Sequence, residues 1–342
     1  MKSFFVGLLA LVYCVSCGKK SDFIPRIFNM VEIETLLKDS LLNVRAIELN
    51  EERLLGISSV GKQYSLFFDG LKEINEIELL RSSESRFRSC AIQNDNFFYL
   101  SIGTPVELYK NGMLVYKENH PKAFYDSMDF WNDEEGIAIG DSTDGCLSVI
   151  VTRDAGETWT KLTCDELPKG IENEGAFAAS DTNIAIVGDH TWVATTAGRV
   201  YYSPDKAKTW QVFDTPIVKE KDTEGIYSID FYDELNGFAI GGDYTNPDAN
   251  SANKMKTTDG GKTWQLVAQN QNPGYRSCVQ YIPNRNGKEL VAIGFKGIDF
   301  SNDAGETWKH LSDEGFYTIR FLNDSVAYAA GAERISKLTF RE

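Results

Sequence analysis

Histidine and cysteine are scarce in this sequence, which limits the chemistry that the chain can perform. Its 342 residues include three His and six Cys, and downstream of residue 17 neither a Cys-x-x-Cys pair nor a His/Cys cluster occurs. Protein sites for zinc and haem are built from such clusters. The sequence therefore predicts no metal site and no cofactor.

Basic residues are in deficit too. The chain holds 35 Lys and Arg against 50 Asp and Glu, a formal net charge of −15, and no Lys/Arg-rich run occurs. Proteins that bind nucleic acid need a basic face for the phosphates. A nucleic-acid partner is therefore not expected.

Two motifs of common enzyme classes are also missing. No Gly-x-Gly-x-x-Gly follows a predicted strand, and no Gly-x-Ser-x-Gly elbow occurs, so neither a dinucleotide-dependent oxidoreductase nor an α/β-hydrolase has support. The 50 carboxylates would allow a glycosidase pair of acid and nucleophile almost anywhere, and so they assign none. No catalytic residue is predicted.

An apolar run occurs at the N-terminus, from Phe4 to Val15 after the basic Lys2. It is too short to span a bilayer and fits the core of a signal peptide. The run ends in Ser16-Cys17. A small residue directly before Cys at this place resembles a bacterial lipobox, although Cys14 stands where Leu is usual.

Residues 1–16 are therefore predicted to be a lipoprotein signal peptide, with Cys17 as the lipidated residue and 17–27 as a tether. An ordinary secretory signal is the alternative. No acidic pair follows Cys17, and such a pair would indicate export to the cell surface. We expect a lipid-anchored protein of the bacterial cell envelope, in the outer membrane and facing the periplasm, with the cell surface as the alternative.

A short motif occurs in four copies with the pattern Ser/Thr-x-Asp-x-Gly-x-Thr-Trp. The copies begin at Thr152, Ser203, Thr257 and Ser301, and the second has Ala207 in place of Gly. The aspartates of successive copies are 51, 54 and 44 residues apart. A repeat of roughly 40–50 residues has the size of one four-stranded propeller blade.

Each copy of the motif is interpreted as a hairpin turn with an anchoring Trp. The Asp carboxylate accepts backbone N–H groups, the Gly supplies a positive φ, and the Thr-Trp pair opens the next strand. Turn chemistry alone explains these residue types. A structural role is therefore predicted for Asp154, Trp159, Asp205, Trp210, Asp259, Trp264, Asp303 and Trp308.

The motif resembles the Asp box, or BNR repeat, of sialidases and of the photosystem II stability/assembly factor family. In those families the box joins the third and fourth strands of a blade, away from the active face. Phrases ending in Ala-Ile-Gly, at 138–140 and 239–241, look more like the assembly factors. The Phe/Tyr-Arg-Ile-Pro motif expected of a sialidase is found only in scrambled form at 23–27, so the similarity to sialidases is distant.

The repeats extend beyond the motif and give seven units, at 43–80, 84–118, 122–163, 174–213, 225–268, 274–311 and 315–340. The last unit has room for only three strands. The segment from Phe28 to Leu37 reads as a strand and would close the ring as the fourth. We predict an all-β chain with a single seven-bladed β-propeller of four-stranded antiparallel blades over 28–342, with six or eight blades as alternatives.

Four cysteines remain after removal of the leader, and an envelope protein can oxidise them. Cys146 and Cys164 flank the first motif. If Thr152 lies opposite Trp159, these two cysteines are nearly opposite each other and within disulfide reach. We predict a Cys146–Cys164 disulfide, and free buried thiols at Cys90 and Cys278.

A binding surface is predicted on the face opposite the motif, where the blade connections and the loops between second and third strands meet. In the fourth unit, 176–188 is read as two strands around a polar turn. The candidate residues are Arg88, Asp126, Asp141, Asp189, Trp192, Tyr227, Asp243, Tyr244, Arg276 and Tyr317, with the two arginines converging on the central axis. The alternative is that these are solvated loop ends, with both arginines paired to Asp126 and Asp129.

Two functions follow from this surface. The first is a non-enzymatic envelope lipoprotein whose propeller is a protein- or peptide-binding scaffold, as the resemblance to the assembly factors implies. The second is a glycan-active propeller, either a glycoside hydrolase or a carbohydrate-binding protein, and the missing sialidase residues disfavour it. The expected partner is an envelope protein or peptide, with a glycan as the alternative. Membrane contact is expected through the lipid only, and the protein is expected to be a monomer.

Overall fold

The computed structural model describes residues 23–68, 74–78 and 86–342, which form strands joined by turns and loops. The predicted signal peptide and Cys17 lie outside these ranges. Within them, no helix has the length and apolar character that crossing a membrane requires.

The strands form seven four-stranded antiparallel blades. Blade 1 contains the second half of β1 (Met30–Leu49), β2 (Arg53–Ser58), β3 (Lys62–Phe67) and β4 (Ile74–Glu78). Blade 2 contains β5 (Arg86–Gln93), β6 (Asn96–Ile102), β7 (Val106–Lys110) and β8 (Met113–Glu118). Blade 3 contains β9 (Tyr125–Phe130), β10 (Gly136–Thr143), β11 (Cys146–Thr152) and β12 (Thr160–Lys161). Blade 4 contains β13 (Ile184–Val187), β14 (His190–Ala194), β15 (Arg199–Ser203) and β16 (Gln211–Asp214).

The remaining blades follow the same order. Blade 5 contains β17 (Ile226–Phe231), β18 (Gly237–Gly241), β19 (Lys254–Thr257) and β20 (Gln265–Leu266). Blade 6 contains β21 (Cys278–Tyr281), β22 (Leu290–Gly294), β23 (Gly297–Ser301) and β24 (Lys309–Ser312). Blade 7 contains β25 (Thr318–Phe321), β26 (Val326–Ala330), β27 (Ala332–Arg341) and the first half of β1.

Strand β1 closes the ring. Its residues 30–38 pair with β27, from Met30 opposite Arg341 to Lys38 opposite Arg334, and residues 44–49 pair with β2. One strand is thus the outer strand of blade 7 and the inner strand of blade 1. The predicted closure by the N-terminal strand is confirmed, and it joins the first and last blades without an open sheet edge between them.

The two faces of the propeller differ. Within a blade, the turns between the first and second strands and between the third and fourth strands lie on one face. This face carries the four repeated motifs, and we call it the motif face. Loops between second and third strands, and the connections between blades, lie on the opposite face, which we call the connection face.

The four motif turns repeat one set of hydrogen bonds. At Asp154, the carboxylate accepts the backbone N–H of Thr158 at 2.9 Å and its hydroxyl at 2.6 Å, while the hydroxyl of Thr152 accepts the N–H of Gly156 at 2.9 Å. The same bonds recur at Asp205, Asp259 and Asp303. The carboxylate of each aspartate therefore forms its hydrogen bonds within its own turn.

Cys146 and Cys164 are joined by a disulfide, with their Cα atoms 5.5 Å apart. The adjacent strands β11 and β12 pair in the predicted register, with Val151 opposite Thr160. The thiols of Cys90 and Cys278 are free and buried.

Peptide mapping without reduction is expected to recover one linked pair, Cys146 with Cys164. Replacing both by Ser should lower the free energy of unfolding by at most about 3 kcal/mol, because the bond closes a short loop. Cys90 and Cys278 should react with a thiol reagent only after unfolding. Recovery of four free thiols from the native protein would contradict the assignment.

The fourth blade departs from the prediction. Its inner strand β13 begins only at Ile184. Residues 177–183, which we call the crossing segment, bond to the inner strands of five other blades and, in blade 6, to the residue directly before the inner strand, so the segment lies across the central channel. Its partners are Arg45, Arg88, Cys90, Met128, Ser228, Ile229, Ser277, Thr318 and Arg320.

Candidate binding site

Four inner strands carry a β-bulge at the same place, close to the connection face. The pairing register skips Arg45 in blade 1, Arg88 in blade 2, Asp126 in blade 3 and Tyr227 in blade 5. A bulge leaves one residue outside the ladder and re-aims its side chain. Arg45, Arg88 and Tyr227 accordingly line the mouth of the central channel.

This mouth is a cavity of about 360 Å³ on the connection face. Its floor is the start of the crossing segment, where the Phe177 ring stacks on Tyr227 at a centroid distance of 3.7 Å. The Tyr275 ring meets Tyr227 edge-on at 4.7 Å. The lining consists of Arg45, Arg88, Phe177, Ala178, Ala179, Tyr227, Tyr244, Tyr275, Phe295 and Tyr317.

Two aromatic side chains form the exposed rim of the cavity. Tyr244 is 49% exposed and Phe295 is 42% exposed. Both contact Tyr275, at centroid distances of 6.4 and 5.5 Å. Exposed aromatic side chains with an apolar body and, in Tyr244, a polar tip are enriched at interfaces.

The two arginines of the cavity are held by main-chain carbonyls. Arg45 donates to the carbonyl oxygen of Ala179 at 3.3 Å and lies 4.1 Å over the Tyr317 ring, while Arg88 donates to Ala178 at 3.2 Å. Neither forms an ion pair with a carboxylate of the described residues. Burial, together with the charge of Arg45, lowers the pKa of Arg88. The cavity therefore concentrates positive charge in an acidic protein, which suits an anionic group of a ligand.

Asp126 and Asp141 were predicted to face a ligand, but neither lines the cavity. Asp126 is completely buried, and the charge of Arg88 and the backbone N–H groups of Ala176 and Ala178 offset only part of the cost of burying its carboxyl group. Burial and the nearby charge of Asp141 raise the pKa of Asp126 well above its usual range. Asp141 accepts the N–H of Ala176 at 3.1 Å, and burial raises the pKa of Asp141 to about 6.

Asp243 shapes the loop that presents Tyr244. Its buried carboxylate accepts the Thr245 hydroxyl at 2.6 Å, the Thr245 N–H at 2.8 Å and the Lys221 ammonium at 3.1 Å. These bonds hold the pKa of Asp243 below its usual range, and the bond from the Thr245 hydroxyl has the largest effect. The side chain is therefore committed to the loop.

Asp189 and Trp192 lie elsewhere, and their predicted placement was wrong. Because residues 177–183 cross the channel instead of forming the first strand of the unit, the turn at Asp189 joins the first and second strands and lies on the motif face. There the Asp189 carbonyl accepts the N–H of Lys206 at 2.9 Å. Trp192 is completely buried, stacks on Phe231 at 3.7 Å and donates to the carbonyl of Gly260 at 2.8 Å.

Arg276 does not converge with Arg88, which corrects the prediction that the two arginines share the channel mouth. Strand β21 begins at Cys278 and pairs with β22 without a register shift, so Arg276 lies ahead of the ladder. Its guanidinium forms a buried ion pair with Asp299, at 2.6 and 2.7 Å. Arg276 is a structural residue of blade 6.

Sequence reasoning missed Arg45, Phe177 and Tyr275. A signal existed for Arg45, because Val44-Arg45 opens its unit as Phe87-Arg88 opens the next. The first unit lacks the Arg-Ser-Cys triplet that marks Arg88 and Arg276, and this hid the correspondence. No local signal places Phe177 on the axis, since its position depends on partners in other blades.

No protein-family model matches the sequence, and no curated protein matches it. Solved structures do. The chain is similar to the structure described as "YCF48 bound to D1 peptide", with 12% identity and a TM-score of 0.64 over 94% of this chain and 100% of that one. It is also similar to the crystal structure of the RRP9 WD40 repeats, with 10% identity and a TM-score of 0.63 over 94% of this chain and 100% of that one. A third similar structure is that of U3-55K, with 11% identity and a TM-score of 0.63 over 91% of this chain and 98% of that one.

The fold is a β-propeller. Identities this low show the fold alone, and function has to be argued from the site.

Proposed function

We propose that this protein is a lipid-anchored, non-enzymatic protein of the bacterial envelope that binds a segment of another envelope protein in the cavity of the connection face. The observation that carries the proposal is the pair Arg45 and Arg88 inside an aromatic-lined cavity. Neither arginine forms an ion pair within the described residues, and the charge of the buried Asp126 offsets only part of the effect of burial and Arg45 on the pKa of Arg88. Arginine and aromatic residues dominate the energetics of protein interfaces. A peptide with an acidic group and a neighbouring apolar side chain matches both features.

A propeller among the similar structures is bound to a peptide, but a ligand of this class has to be supported by the site of this chain. That structure is described as YCF48 bound to a D1 peptide. For this chain, the support comes from the rim formed by Tyr244 and Phe295, which offers an exposed aromatic surface to a partner. Peptide recognition uses such aromatic-lined grooves.

Glycoside hydrolysis is the weaker candidate. Two carboxyl groups must face the scissile bond, roughly 5–10 Å apart. The ten residues that line the cavity, all within the described ranges, include no Asp or Glu. Carbohydrate binding without hydrolysis remains an outcome that the experiment below can detect.

Replacing Arg45 and Arg88 together by Gln is expected to weaken capture of the partner by about 10- to 100-fold, the loss that truncating an interface arginine typically causes. Partners would be captured from detergent-solubilised envelope, mapped by crosslinking, and their peptides titrated by fluorescence anisotropy. The double variant Tyr244→Ala, Phe295→Ala should weaken binding of the same peptide. The thermal midpoint of each variant is measured first.

The matched control is Arg153→Gln, which removes a partly exposed arginine of the motif face and should leave binding unchanged. A glycan array is run in parallel with the same proteins. Unchanged capture by the cavity variants, combined with loss in variants of the motif face, would place the binding surface on the other side. Binding of glycans alone, lost in the cavity variants, would replace the peptide by a carbohydrate.

A further inference from the structure

The N-terminal end of the described chain is fixed to the motif face. Arg26 donates to the carboxylate of Glu289 at 2.6 and 2.9 Å and to the carbonyl of Asp324 at 2.8 Å. These partners belong to the turns between first and second strands in blades 6 and 7. Arg285 donates to the carbonyl of Ile24 at 3.2 Å. The chain therefore reaches the propeller at the side of the motif face formed by blades 6 and 7.

A buried ion pair and a buried aromatic ring stabilise this attachment. The Glu289 side chain is completely buried. Burial raises the pKa of Glu289, but hydrogen bonds from Arg285 and Arg26 outweigh burial and hold it below its usual range. Phe28, two residues beyond Arg26, is buried in the core between blades 6 and 7, and the Arg26 guanidinium lies 4.6 Å over its ring. Removing one partner of such a buried pair is strongly unfavourable.

Few residues separate Cys17 from this attachment in the sequence. Five residues lie between Cys17 and Phe23, and the six Cα–Cα steps that join them span at most about 20 Å in a fully extended chain. An acyl group on Cys17 would therefore hold a lipid surface close to the side of blades 6 and 7. The net charge of −15 gives the protein as a whole no electrostatic attraction to an anionic membrane, so the contact has to be local.

The same side of the motif face exposes apolar side chains. Ile24 is 79% exposed and Ile27 is 62% exposed, and Met30 and Leu322 are exposed as well. Lys288, next to Glu289, and Lys309 are exposed on blade 6, and Lys309 bonds to Asn29 at 2.7 Å. The half-exposed Asp324 on blade 7 is paired with Arg26 at 3.3 Å. Apolar side chains with lysines at their edge are the combination that settles into a membrane interface, and one lipid anchor binds durably when a second contact supports it.

We infer that this side of the motif face, with Ile24, Ile27 and Leu322, lies against the lipid surface. The cavity between Arg45 and Arg88 then opens away from the membrane, and its partner approaches from the aqueous side. This inference rests on the lipidation of Cys17 that forms part of the proposed function.

The test uses the full chain expressed with its own leader. Mass spectrometry of the N-terminal peptide first establishes whether Cys17 carries acyl chains. The protein is then reconstituted into vesicles of phosphatidylethanolamine and phosphatidylglycerol and footprinted with hydroxyl radicals, beside a lipid-free Cys17→Ser protein. Ile24, Ile27, Met30 and Leu322 are expected to lose reactivity severalfold on reconstitution, while Tyr244 and Phe295 keep theirs.

Met113 and Leu114, exposed on the outer strand of blade 2, are the internal controls and should keep their reactivity. Ile24→Ser with Ile27→Ser should reduce the protection of Leu322. Met113→Ser with Leu114→Ser should leave it unchanged. Both variants are first checked for an unaltered thermal midpoint.

Protection of Tyr244 and Phe295 by the vesicles would overturn the inference, as would an acylated protein with no protection of Ile24 and Ile27. Protection that grows with concentration in the lipid-free protein would assign the surface to a second copy and overturn it too. An unmodified Cys17 overturns the inference together with the lipid anchor. Peptide binding in detergent is measured independently of all these outcomes, so a failed cavity and a failed orientation give different results.

Discussion

The Trp264→Ala protein is expected to unfold with a free energy lower by about 3–5 kcal/mol, the usual cost of removing a buried Trp ring. Trp264 is 7% exposed and lies in the core that joins blades 4 and 5, with its ring edge-on to Phe231 at 6.0 Å. Its indole N–H donates to the carbonyl of Gly261 at 3.0 Å. The side chain thus fixes the turn and fills the gap between two blades.

Urea denaturation followed by circular dichroism measures this loss. Trp308→Ala is the matched comparison, because its ring makes the same bond to Gly305 at 3.0 Å but is only half-buried; its loss should be smaller. Asp259→Ala should lower stability and leave peptide affinity unchanged. A loss below about 1 kcal/mol for Trp264→Ala, small for any buried residue, would contradict the packing role.

The Arg276→Met protein is also expected to lose about 3–5 kcal/mol, because the change leaves a buried carboxylate without its partner. The side chains of Arg276 and Asp299 are 6% and 2% exposed, and Arg276 also donates to the carbonyl of Tyr275 at 2.7 Å. His310 contacts the other oxygen of Asp299 at 3.0 Å, which compensates for only part of the lost pairing.

Thermal denaturation of Arg276→Met and of Arg88→Gln separates structure from binding. The first should melt lower and bind the peptide normally below its transition, whereas the second should melt normally and bind weakly. Adding Asp299→Leu to Arg276→Met should recover part of the lost stability, since removing both members of a buried pair costs less than removing one. Normal melting with lost binding in Arg276→Met would restore Arg276 to the binding surface.

Local chemistry made much of the fold predictable. The hydrogen bonds of the motif turn at Asp154 stay within five residues, so Asp, Gly, Thr and Trp at fixed spacing specify the turn wherever they occur. The register of the hairpin beyond the turn follows from its loop length. The opposed positions of Cys146 and Cys164 could be inferred for the same reason. The strand from Phe28 that closes the ring was inferred by counting, because the last unit has room for only three strands.

The crossing segment could not be predicted in this way. Ser180 and Asp181 bond to residues up to 139 positions away in sequence, and no local pattern encodes partners so distant. Read locally, the segment looks like one more inner strand. That interpretation placed Asp189 on the wrong face. It also gave no indication that Phe177 forms the floor of the cavity.

The sequence by itself predicted the repeat, the turns, the closing strand and seven blades, with six or eight as alternatives, because hydrophobic alternation and turn chemistry act within a few residues and recur in each unit. Only the tertiary structure decided which side chains meet. Arg88 and Arg276 each begin an Arg-Ser-Cys triplet, yet a bulge turns Arg88 into the cavity beside Arg45, while Arg276, ahead of an unbulged strand, pairs with Asp299. The direction of a side chain at the start of a strand depends on the register with its neighbours and on the charges that they bury, and neither is a local property of the chain.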